Sequence, residues 1–126
     1  MRTFAIIAVI VTLLGGGSVW YTHYISSSTG ILVEQIDQVD ERIQNQDWDK
    51  ANSSLKEMGN DWEKTKNLWS VLITHQEIDS IDITLKRLEE FVRLKSPALA
   101  AGELASLRLL LDHIADTESF NLRNIF

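Results

Sequence analysis

The chain contains no cysteine. That excludes disulfides, thiol nucleophiles, cysteine-ligated zinc and a lipid-modified cysteine together. It leaves the redox compartment open. One proline and six glycines are too few for a low-complexity or linker-rich chain. Basic residues are scarce as well: 12 Lys and Arg stand against 18 Asp and Glu, for a net charge of −6. Arg2 is the one basic residue before Thr29, and no acid lies there, so the acidity falls on the later part. Nucleic acid is therefore not an expected partner, because phosphate contacts need clustered Lys and Arg. Docking on an anionic lipid surface is disfavoured on the same ground. Catalytic signatures are missing too. There is no phosphate loop, no nucleophile elbow and no zinc-protease helix. Gly15-Gly16-Gly17 sits inside an apolar run and cradles no phosphate.

What is present is ordinary for one folded domain: 126 residues, 44% apolar and 24% charged. The organising stretch is Trp48 to Leu72. Trp48, Leu55, Trp62 and Trp69 recur every seventh residue, with Ala51, Met58, Thr65 and Leu72 three residues after each. This 3-4 spacing predicts a long helix with one continuous buried seam. An aromatic cage for a cation is the alternative use of these tryptophans. Heptad spacing favours core packing. Bulky tryptophans need small neighbours, and Ala98, Ala100, Ala101, Gly102 and Ala105 are the predicted ones. Truncating Trp62 to alanine is then expected to cost about 3–5 kcal/mol.

Before this helix, Phe4 to Tyr24 carries no charge over 21 residues. As a helix it would reach about 31 Å, enough to cross a bilayer. Trp20, Tyr21 and Tyr24 crowd its C-terminal end like an interfacial belt. His23 among them reads as an interfacial residue. Arg2 precedes the run and no basic residue follows until Arg42, which predicts a cytoplasmic N-terminus and an external domain. A cleaved signal peptide competes: Phe4 to Leu14 is short, and Gly15 to Ser18 are small. The minimal charged leader and the lack of Ala-x-Ala favour an anchor. A buried helix is the third reading. The expected division is an anchor over 1–25 and an extracytoplasmic domain over 26–126.

Ser26 to Gly30 is expected to be a polar break, with the first domain helix from about Ile31 to Asn45. Asp47 should cap the tryptophan helix. Thr74-His75-Gln76-Glu77 is a capping-box pattern and should end it, with one continuous helix as the alternative, and start a third helix to about Lys95 with Ile78, Ile81, Leu85, Leu88 and Val92 inward. Ser96-Pro97 should start a fourth, to about Ala115, with Leu104, Leu107, Leu111 and Ile114 inward. Asp116 to Phe126 is left as a tail with Phe120, Leu122, Ile125 and Phe126, expected to fold back or bind a partner. Ile125 and Phe126 are its candidate interaction residues. Short connections predict an all-α fold: one transmembrane helix, then an antiparallel up-down four-helix bundle.

His75, Asp79 and Asp82 are the sharpest chemical candidates. On a helix they fall within about 60° of one another, where imidazole and carboxylates could hold zinc or another divalent ion. His113, after Asp112, could add a ligand. Helix-start acids and an Asp82–Lys86 pair explain the same residues without metal. Glu89 with Glu90, and Asp47 with Asp49, could be paired carboxylates of the glycosidase kind. Solvated helix faces account for them equally.

Asp47-Trp48, Trp62, Trp69, Leu72-Ile73-x-His75-x-Glu77-Ile78-Asp79-x-Ile81 and the terminal Leu122-x-Asn124-Ile125-Phe126 form a recognisable series. On these residues the chain resembles a bacterial family, domain of unknown function 4363, over nearly its whole length. The resemblance implies a small membrane-anchored, extracytoplasmic helical protein of Gram-positive-type bacteria and lends no activity. The expectation is a non-enzymatic, cofactor-free anchored bundle that binds an envelope protein or itself. A small-ligand or divalent-metal module on the His75, Asp79 and Asp82 face is the alternative.

Overall fold

The structure, a computed structural model, describes residues 1–125, and all of their side chains except those of Leu122 and Ile125. Phe126 and the side chain of Ile125, the two candidate interaction groups, lie outside the described residues. Four helices follow in order: α1 (Arg2–Gln44), α2 (Trp48–Leu72), α3 (His75–Arg93) and α4 (Pro97–Ile125). No strand occurs among the described residues. Helix α1 packs on α2 and α4, and α3 packs on the same two neighbours.

The anchor and the first domain helix, expected as two, are one 43-residue helix. The hydroxyls expected to break it turn inward on it instead. Ser28 Oγ donates to the Tyr24 carbonyl at 2.8 Å, and Thr29 Oγ1 to the Ile25 carbonyl at 2.7 Å. Bonds of this kind satisfy a hydroxyl inside a helix rather than at its end. The buried seam also continues backward without a gap: Ile25, Thr29, Leu32, Ile36, Val39 and Ile43. Burying Ile25 contributes about 1.5–3 kcal/mol, more than the roughly 1 kcal/mol that an interior Gly30 costs.

Helix α2 forms as its periodicity predicts. Ala51, Leu55, Met58, Trp62 and Trp69 are buried, with Trp48, Thr65 and Leu72 half-buried on the same stripe. Asp47 caps it by accepting from the Lys50 N–H at 3.2 Å. It ends where the capping pattern predicts. Ile73 is extended, Thr74 Oγ1 accepts from the Glu77 N–H at 3.4 Å, and the Thr74 hydroxyl donates to Glu77 Oε2 at 3.0 Å. Helix α3 buries the five expected residues and also Thr84.

The corners after α1 and α3 share one geometry. Gln46 and Lys95 stand at φ 55° and 52°. The Gln46 N–H donates to Ile43 at 2.9 Å and the Asp47 N–H to Arg42 at 3.0 Å. Lys95 to Val92 and Ser96 to Phe91 repeat the pattern, both at 3.0 Å. These paired bonds are the helix-ending motif that glycine usually serves.

Helix α4 buries Leu104, Leu107, Leu111 and Ile114 as expected. Two expectations for it fail. Ala98, Ala101, Gly102 and Ala105 face solvent, and of the small set only Ala100 is buried. The tryptophan helix packs on α1 and α3, and Trp62 and Trp69 meet each other edge to face, ring centres 5.6 Å apart. The helix also does not stop near Ala115 but runs on to Ile125. No glycine or proline lies between Ala115 and Ile125 to stop it.

At least one polar link crosses each neighbouring pair. Gln35 Nε2 donates to Asp61 Oδ2 at 2.6 Å between α1 and α2. Trp62 Nε1 and Lys66 Nζ donate to Asp82 between α2 and α3, at 2.7 and 2.6 Å. Arg87 pairs with Glu103 at 3.2 Å between α3 and α4. Arg108 pairs with Asp37 between α4 and α1. Such links fix how far each helix slides along its neighbour, which an apolar seam alone leaves loose.

Candidate functional site

The predicted histidine–carboxylate stripe does not assemble. Asp82, half-buried, spends Oδ1 on the Trp62 indole and Oδ2 on the Lys66 ammonium. His75, Asp79 and His113 are exposed. No three His, Asp or Glu side chains among the described residues converge to hold an ion. Asp82 therefore locks α3 to α2. The hydrogen bond from Lys66 to Asp82, above all, holds the Lys66 ammonium above the ordinary lysine range. Periodicity placed Trp62 and Lys66 one turn apart, but nothing in the sequence says which acid of α3 they meet.

The two carboxylate pairs are ordinary surface groups. Glu90 accepts from Arg93, which holds its carboxyl below the usual range. Glu89 accepts from Lys86 at 3.2 Å. Asp47 serves as the α2 cap. The core leaves little space for a ligand. The void among Leu32, Met58, Trp62, Ile81, Leu85, Leu107 and Leu111 is about 10 Å³. That is room for one water, and the lining is wholly apolar, so it stays dry.

The tryptophans divide by chemistry. Both Trp62 and Trp69 are core, but the Trp69 Nε1, also buried, has no hydrogen-bond partner among the described residues. An aromatic cage needs open ring faces, and neither ring has one. Such an orphan donor is uncommon in folded proteins, and no sequence signal marks it.

The distinctive surface lies at the start of α1. An 18-residue window there is apolar enough to span a membrane, and none of its residues is fully buried by the described residues of the chain. Phe4, Ile7, Val11, Leu14 and Val19 are exposed along it. By length and composition this stretch is a candidate membrane span. At its upper end Trp20 stacks on Tyr24, ring centres 5.6 Å apart. The Tyr21 hydroxyl donates to Glu118 of α4. Thr22, Ile25 and Ser26 face Ala115, Asp116, Glu118 and Ser119 across a shallow cleft. The sequence located the apolar run and its aromatic collar. It missed that α4 reaches down to that collar.

No curated protein and no solved structure matches the chain. A family model does, over residues 19–125, from just below the aromatic collar to the end of α4. The chain thus belongs to the family described as Domain of unknown function (DUF4363).

Proposed function

We propose that this protein is a membrane-anchored docking bundle. The start of α1 crosses the bilayer, and an antiparallel up-down four-helix domain stands outside the cytoplasm. That domain binds an envelope protein or a second copy of the chain, without catalysis. The bare apolar window of α1 carries the reading. Arg2 ahead of it and the acidic domain behind it support the orientation. The antiparallel arrangement is supported by the α1–α4 links: Tyr21 meets Glu118 while Asp37 meets Arg108, so the two helices run in opposite directions. Corners of a few residues between packed neighbours support the same for the other pairs. An Asp82 committed to Lys66 favours docking over a metal module on the His75, Asp79 and Asp82 face.

Alkaline carbonate extraction of membranes tests the anchor: the full chain should stay in the membrane pellet, and release into the supernatant would refute it. Photo-crosslinking in intact cells tests the docking, with the probe at Asp79 and at Phe126. A defined crosslinked partner or dimer is expected. Monomer alone at both positions would overturn the docking role.

A further inference from the structure

Helix α4 carries a feature that anchoring by α1 does not explain. Seven residues, Ser119 to Ile125, continue past the Tyr21–Glu118 link. Because α4 runs opposite to α1, these residues run beside the apolar stretch below the aromatic collar. They extend about 10 Å along it at 1.5 Å per residue. The burial of α1 records where they lie. Ser18 is half-buried, and it lies one turn below Thr22 on the stripe of Thr22 and Ile25, which face Ala115 and Ser119 across the cleft. At Gly15, a further turn down, a side chain would meet open space. The covered stripe thus continues about one turn down α1 on the side that α4 occupies.

We propose that the last two turns of α4, Ser119–Ile125, form a second membrane-contacting element that lies against α1 at the boundary between acyl chains and headgroups. This rests on the anchor reading. The occupant of its outer face is lipid, because its neighbours at that depth on α1 are exposed to the same medium. Phe120 is 63% exposed and Val19 72%. Trp20 and Tyr24, stacked just above, are the side chains that favour the headgroup level. The sequence adds Leu122, Ile125 and Phe126 to the same short segment. Arg123, also exposed, has a stem long enough to carry its guanidinium back to the headgroups, which limits how far the element sinks. The attraction is apolar, so an acidic chain can make it without an anionic lipid. The element pins the bundle to the bilayer at two points, α1 and the end of α4.

The absence of cysteine makes the test direct. Single variants Phe120→Cys, Asn124→Cys, Val11→Cys and Asp49→Cys of the full chain are labelled with an environment-sensitive fluorophore. They are reconstituted into phosphatidylcholine vesicles containing lipids spin-labelled near the headgroup or deep in the acyl chain. Labels at 120 and 124 should lose severalfold more emission to the shallow quencher than the label at 49, while the label at 11 responds to the deep one. A quenched label at 11 with unquenched labels at 120 and 124 would overturn this inference and leave the anchor standing. An unquenched label at 11 would overturn both. Two tail positions guard against one substitution disturbing the end of α4.

Discussion

Trp62 and Trp69 offer a comparison in which packing cancels and polarity remains. Both rings are buried, and they touch each other edge to face. Replacing either by phenylalanine removes a similar slice of ring, worth about 1–2 kcal/mol in lost burial and residual cavity. The polar consequences oppose each other. Trp62→Phe also deletes a hydrogen bond to the Asp82 carboxylate. Bonds to charged groups contribute about 1.5–3 kcal/mol. The lower end applies, because the Asp82 side chain is 31% exposed and keeps Lys66. Trp69→Phe deletes a buried N–H that has no partner, and so removes a desolvation cost of about 1 kcal/mol or more. Trp62→Phe should therefore cost about 3 kcal/mol and Trp69→Phe between about 0 and 1. Urea unfolding of the full chain in detergent micelles, followed by far-UV circular dichroism, measures both. At unchanged slope the midpoints should differ by on the order of 1 M. In an Asp82→Ala background the gap should narrow, since the Trp62 bond is already gone. Equal losses, or a larger loss at Trp69, would show that the two indole N–H groups do not differ in their surroundings.

Three other outcomes follow from the same geometry. Gln46→Gly and Lys95→Gly should each stabilise by about 0.5–1 kcal/mol, because both residues hold a left-handed backbone that glycine adopts freely; a loss of stability in the same urea assay would contradict the corner geometry. Asp47→Ala should cost about 1 kcal/mol through the lost α2 cap, and Asp47→Ser should restore most of it. The Lys66–Asp82 link gives a pH dependence with a defined sign. Lys66 is raised in the folded state, so its contribution is complete below the ordinary lysine range and fades as pH rises through the raised value. Thermal melts at alkaline pH should show this loss, and Lys66→Met should be less stable at neutral pH but flatter with pH.

The interior was legible residue by residue and the neighbours were not. Heptad spacing assigns Leu55, Trp62, Ile81 and Leu111 to the core correctly, because the seam is a property of one helix at a time. Which helix faces which is a property of pairs. That is why the alanines of α4 were matched to the tryptophans of α2 although α2 packs on α1 and α3. Asp82 shows the same limit: a helix-start acid is equally suited to a metal, a dipole or a cross-helix lock. Punctuation misled in α1. Ser26 to Gly30 has the composition of a break, yet the 4-3 spacing of Ile25, Thr29 and Leu32 was already in the sequence and outweighs it. The capping pattern at Thr74 succeeded because it is a local bond between four consecutive residues.

On the proposed anchoring, the unbroken α1 would make the domain a lever on the bilayer. No joint separates the apolar stretch from the seam that ends at Ile43. From Tyr24 to Gln44 the shaft is about 30 Å long. A change of about 10° in its tilt, well inside the range by which spanning helices accommodate bilayer thickness, sweeps the corner at Asn45 sideways by about 5 Å. A twist of the shaft about its own axis turns the other three helices with it, since α2 and α4 pack on α1, α4 also through the Asp37–Arg108 pair, and α3 packs on both. On that anchoring, thinning or thickening of the membrane would reach the far end of the bundle as a displacement the size of a helical turn.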